Sequence, residues 1–242
     1  MTALAGWDES SFSAGGTAYP VYRRGTGPGV IVVHEVPGIT PKVQGFAEEV
    51  VDAGFTVVMP SLFGTPGEPM GVGNVLKSLG RVCVSSEFAA WHAGQTSPVT
   101  QWLGALAEQL HTELGGPGVG ALGMCFSGGF TLGMMVGGHV AAPVLSQPSM
   151  PFPVTPRLRR DLNLAPPDLA AVKERVAAGC PVLGLRYTGD PAVGDRFTTL
   201  RKELGEGFLA VELPGKGHSV LTEHRDDASV QRVLDFFRER LA

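Results

Sequence analysis

Short runs of β-branched residues recur along this chain, and most are followed by a segment whose apolar side chains have helical spacing. That alternation constrains the fold more than any other feature. Residues 29–34 read Gly-Val-Ile-Val-Val-His, an apolar run of the type buried on both faces of a sheet. In 41–53, Val43, Phe46, Ala47, Val50 and Val51 fall on one helical face, and Gly54 follows as a stop. The same reasoning predicts strands at 55–59, 119–124, 140–145, 181–187 and 208–213. It predicts helices at 98–114, directly after 124, and at 169–178, 197–204 and 230–241. Strands alternating with helices in this way imply a mostly parallel sheet with helices on both faces. No linker or repeat divides the chain, so one α/β domain over 1–242 is expected, with 64–96 as an irregular, cap-like excursion.

Composition removes several classes of function. Nineteen Lys and Arg against twenty-three Asp and Glu give a net charge of −4, the wrong balance for a nucleic-acid surface. With 43% apolar and 17% charged residues the chain can build a sizeable core. The longest apolar stretch, 119–136, is broken by glycines, Ser127 and Cys125, so no membrane association is expected. Three cysteines cannot complete a disulfide framework, and none forms a CxxC pair. Residues 1–7 lack the basic and apolar regions of a signal peptide, so a cytoplasmic protein is expected.

The sharpest chemical signal is Gly123-Met124-Cys125-Phe126-Ser127-Gly128-Gly129, where a strand should turn into a helix. A nucleophile on such a turn needs small residues two before and two after it, here Gly123 and Ser127. A thiol at a helix start also gains from the partial positive charge there. Two further strand ends carry Gly189-Asp190 and Gly217-His218-Ser219. Nucleophile, then acid, then histidine is the chain order of the α/β-hydrolase fold. Asp195 competes with Asp190 for the acid, which is preferred because it directly follows its strand. Of the six histidines, only His218 stands in a glycine-flanked loop at the required place. Two other motifs are coincidental. The GxGxxG at 118–123 runs through a strand instead of following one, and His34-Glu35 has Gly38 where a zinc helix would need a second histidine.

With these residues the chain resembles the dienelactone hydrolase family of α/β hydrolases over about 18–242. The carriers are His34-Glu35-Val36-Pro37-Gly38, Phe55 to Pro60, Gly123 to Gly129, Gly189-Asp190 and Gly217-His218-Ser219. The resemblance implies Cys125 as nucleophile, Asp190 as acid and His218 as base. It implies that Glu35 contacts the resting thiol and takes part in its activation, and that the Val36 and Phe126 N–H groups form an oxyanion hole. It also implies hydrolysis of a small carboxylic ester or lactone through a thioester, with no metal or organic cofactor. Family members that open anionic lactones are expected to hold the substrate carboxylate with arginines. Here Ser219 to Thr222 supplies none, which leaves Arg81 as the candidate. Phe63, Phe88, Trp91 and Phe152 are candidates for a more apolar lining. The alternatives are a non-catalytic binding protein on the same scaffold and a redox-responsive thiol protein, although Cys83 and Cys180 are not obviously placed as resolving partners. Oligomeric state carries no sequence signal.

Overall fold

The computed structural model describes residues 4–242. It opens on an antiparallel hairpin, β1 (Asp8–Ala14) and β2 (Thr17–Arg24). Then come β3 (Gly29–Val33), α1 (Pro41–Asp52), β4 (Thr56–Pro60), α2 (Val72–Val84) and α3 (Val99–Leu114). The second half comprises β5 (Val119–Met124), α4 (Phe130–Met135), β6 (Val140–Ser146), α5 (Pro166–Ala177), β7 (Val182–Tyr187), α6 (Arg196–Leu204), β8 (Phe208–Leu213) and α7 (Asp227–Leu241). The strands form one sheet in the order β1-β2-β4-β3-β5-β6-β7-β8, parallel from β4 through β8. This is the mostly parallel, helix-covered sheet that the strand–helix alternation predicts, and it has the α/β-hydrolase architecture that the chain order of Cys125, Asp190 and His218 implies.

The pleat explains why the central strands read as unbroken apolar runs. Along β3, Ile31 and Val33 face one core, with Trp102, Leu103 and Leu106 of α3 and Phe130 of α4. Val30 and Val32 face the opposite core, with Val43 and Phe46 of α1 and Phe236 and Phe237 of α7. Helix ends follow local chemistry. Thr40 caps α1 by accepting from Val43 N, with Pro41 in the first turn, and Asp226 caps α7 by accepting from Ser229 N.

Two elements go beyond the sequence reading. The β1–β2 hairpin carries Asp-Glu-Ser-Ser on the exposed β1 edge, while Phe12 and Tyr19 pack edge-on against Trp102 and Val21 and Tyr22 of β2 are buried. Within 64–96, α2 forms although it buries only Ser78 and Val82. Gly73 and Gly80 interrupt its pattern, which hides the periodicity. No helix among the described residues is long and apolar enough to cross a membrane.

Candidate active site

Cys125 sits immediately after β5 at φ 53°, the left-handed region that a residue with a Cβ enters only under constraint. The turn closes because Gly123 has no side chain: a Cβ there would stand 2.1 Å from the Ser127 carbonyl oxygen. Ser127, which the motif reading valued only for its size, does more. Its hydroxyl accepts from Met124 N at 3.0 Å and has the Val33 and His34 carbonyls within 2.9 and 3.0 Å as acceptors. The bend is thereby stitched to the end of β3, where Glu35 and Val36 emerge.

The other strand ends converge on the sulfur. Gly189 N donates to Gly215 O at 2.8 Å, which binds the loop after β7 to the loop after β8. His218 Nδ1 then meets Asp190 Oδ2 at 2.6 Å, and Asp190 Oδ1 accepts from Ala192 N at 2.9 Å. Asp190 is buried while the His218 ring remains partly open to solvent. With Nδ1 committed to the carboxylate, Nε2 is the nitrogen left for Cys125. Burial alone would lower the His218 pKa. The charge of Cys125, the hydrogen bonds from Asp190 and Cys125, and the charge of Asp190 reverse this and raise it to about 11. The arrangement therefore favours a protonated imidazole beside Cys125. Asp195 is elsewhere, on the surface with Arg159 and Arg160 each at 3.7 Å.

Glu35 is buried and held by three side chains. Thr222 donates to Oε1, while Ser219 (2.8 Å) and Gln147 (3.4 Å) donate to Oε2. Burial pushes its pKa up, and the Thr222 and Ser219 hydroxyls and the nearby His218 charge pull against that. None of these hydrogen bonds goes to Cys125. The carboxylate fastens the end of β3 to the loop that carries His218. Val36 follows it, and neither the Val36 nor the Phe126 N–H has a protein acceptor among the described residues. Both amides are free to donate.

Arg81 is exposed and near Tyr19. It lines a cavity of about 550 Å³ with Tyr19, Leu62 and Phe63, and neither Cys125 nor His218 is part of that lining. Of the four aromatic candidates, Phe63 and Phe88 belong to the buried core, whereas Trp91 is half exposed and packs on Phe152 at 5.0 Å. Cys180 is buried with its thiol towards the Val140 and Ala141 carbonyls. Among the described residues, no group of three or more His, Cys, Asp or Glu side chains is arranged to hold a metal.

His34, which the sequence placed at a strand end without a role, is fully buried. Burial lowers its pKa to about 4, against a smaller opposing effect of the Glu35 carbonyl. The sign of the consequence is fixed. As pH falls from about 6.5 towards about 4, the unfolded chain takes up a proton that the folded chain refuses, so stability drains away. The loss approaches about 3 kcal/mol. Urea unfolding at pH 7 and pH 4.5 should therefore show a steeper loss for the parent than for His34→Gln. Equal losses would mean that His34 does not govern this pH window.

Comparison with known proteins agrees with this architecture. The family model described as the dienelactone hydrolase family matches residues 17–240. A dienelactone hydrolase from Anabaena variabilis superposes with a TM-score of 0.68 at 18% identity, covering 98% of this chain and 100% of that one. A dienelactone hydrolase-like promiscuous phosphotriesterase from metagenomic libraries gives 0.69 at 16% identity, with 98% of each chain covered. A cold-adapted esterase from an Arctic intertidal metagenomic library gives 0.65 at 16% identity, over 100% of this chain and 97% of that one. No curated protein matches the sequence.

Proposed function

Because the chain belongs to the dienelactone hydrolase family, we propose that it hydrolyses a small carboxylic ester or lactone through a thioester on Cys125. The observation that carries this reading is Cys125 held in left-handed geometry beside an imidazole whose Nδ1 is bound to Asp190 at 2.6 Å.

The thiolate attacks the carbonyl carbon, forming a C–S bond, and the carbonyl electrons move to oxygen. The Val36 and Phe126 N–H groups receive that oxyanion. As the intermediate collapses, the C–O bond breaks and the His218 imidazolium gives its Nε2 proton to the departing alkoxide. In a lactone that alkoxide stays tethered through the acyl chain. Neutral His218 then takes a proton from water, which attacks the thioester. The C–S bond breaks, the acid is released, and the thiolate–imidazolium pair is restored. Asp190 keeps the ring in one tautomer throughout. Glu35 acts on this cycle through Ser219 and Thr222, which hold the His218 loop in place.

Rapid quench of an aryl acetate reaction, followed by intact-mass analysis, tests the intermediate. One acetyl group should accumulate on Cys125 and disappear on neutral hydroxylamine treatment, as a thioester does and an oxygen ester resists. An acetyl group found on any other residue would reject the assigned nucleophile. A thiol that is only oxidised, or a binding protein without turnover, would form no acyl adduct at all.

A further inference from the structure

We propose that His34 is a positioning residue for the oxyanion hole, acting through the peptide plane that joins Glu35 to Val36. This rests on the acyl-transfer reading of Cys125 and adds a residue to it.

The argument begins with the tautomer. Leu62 N donates to His34 Nε2 at 3.1 Å, so Nε2 must be an acceptor and carries no proton. The ring is neutral, because burial holds its pKa near 4. The single ring proton is therefore on Nδ1, which lies 2.9 Å from the Glu35 carbonyl oxygen and donates to it. That carbonyl belongs to the same peptide unit as the Val36 N–H. The two cis peptides among the described residues precede Pro37 and Pro151, so the Glu35–Val36 unit is trans and planar. Fixing its oxygen in one direction fixes the N–H in the opposite one. A bond to the oxygen also polarises the amide and strengthens the N–H as a donor.

The ring is itself locked. It packs edge-on against Phe63 with centroids 4.6 Å apart, and Phe63 packs against Phe126 at 5.2 Å. One buried cluster thus braces both residues whose amides are proposed to receive the oxyanion. The Leu62 amide comes from the segment after β4, so the plane is referenced to the sheet and not only to its own loop.

Two amide substitutions separate this role from simple packing. In His34→Asn the amide nitrogen falls near the Nδ1 position and keeps the bond to the Glu35 carbonyl. In His34→Gln the longer side chain reaches the Nε2 position and keeps the bond from Leu62 N instead. Each variant is assayed on the same sulfur in two ways, by single-turnover acylation with p-nitrophenyl acetate and by alkylation with iodoacetamide. Acylation develops an oxyanion and alkylation does not. His34→Gln should acylate roughly tenfold more slowly or worse, a fraction of what losing an oxyanion donor costs, with alkylation within about twofold of the parent. His34→Asn should recover acylation to within about threefold. An equal fall in both reactions, or the reverse ranking of the two variants, would overturn the role of His34. Should iodoacetamide modify Cys125 in the parent and leave ester turnover intact, the nucleophile assignment itself fails, and this inference with it.

Discussion

Ester turnover in Cys125→Ala should fall at least about a hundredfold, and His218→Ala should fall by a similar factor. The double variant should be scarcely worse than either, because a nucleophile and base in the proposed roles act as one unit and the second loss has little left to remove. The geometry also ranks the two acids. Asp190 is buried with its carboxylate on His218 Nδ1 and on Ala192 N. Asparagine there would remove the charge that supports the imidazolium and could present an N–H to Nδ1, favouring the wrong tautomer. Asp195 only meets two surface arginines at 3.7 Å, so Asp195→Asn should leave turnover within about twofold, as surface ion pairs contribute little. Initial rates on an aryl ester, with circular dichroism to verify folding, decide all of this. Parent-like turnover in Cys125→Ala would remove the nucleophile, and a larger loss for Asp195→Asn than for Asp190→Asn would reverse the choice of acid.

The parts of this arrangement legible in the sequence are those written in contiguous residues. Strands β3, β4 and β5 announce themselves because burial on both faces favours an apolar residue at almost every position. Cys125, Asp190 and His218 follow from strand ends and chain order, which local punctuation marks well. Other features depend on partners from distant segments. Thr222 and Ser219 reach back to Glu35 from the opposite end of the chain. Gln147 spans Glu35 and the Val220 amide, and nothing around Gln147 in the sequence indicates that it is fully buried. Hairpin β1–β2 escapes for the opposite reason. Its outer strand β1 is an exposed edge that needs few apolar residues, so its pattern carries little signal.

Arg196 is the extreme case of such long-range dependence, and its replacement should give the largest loss of stability. Its guanidinium is buried and donates five hydrogen bonds, all to main-chain carbonyls. They come from Met150 (3.1 Å) and Pro151 after β6, from Ala192 (3.1 Å) and Val193 (2.8 Å) in the Asp190 loop, and from Leu158 (3.1 Å). Burial lowers its pKa to about 10, with Asp161 raising it in opposition, so it stays charged at neutral pH. Arg196→Met keeps the length and removes every donor. Two effects then compete: a buried charge is relieved, which stabilises, and five carbonyls of three segments lose their common partner, which destabilises. The second should win, because guanidinium is weakly hydrated and loses comparatively little on burial. Each abandoned buried carbonyl costs about 1–3 kcal/mol before relaxation. A net loss on the order of 4 kcal/mol follows, roughly 10 °C in melting temperature for a chain of this size. The Ala192 and Val193 carbonyls lie just beyond Asp190, so the folded fraction should also lose kcat as the acid loses its fixed place behind His218. Arg196→Lys should fall between, since one ammonium with three donors cannot span five acceptors. A melting temperature for Arg196→Met within about 2 °C of the parent would show that water or rearranged backbone replaces the guanidinium at little cost. The Asp190 loop would then need some other anchor.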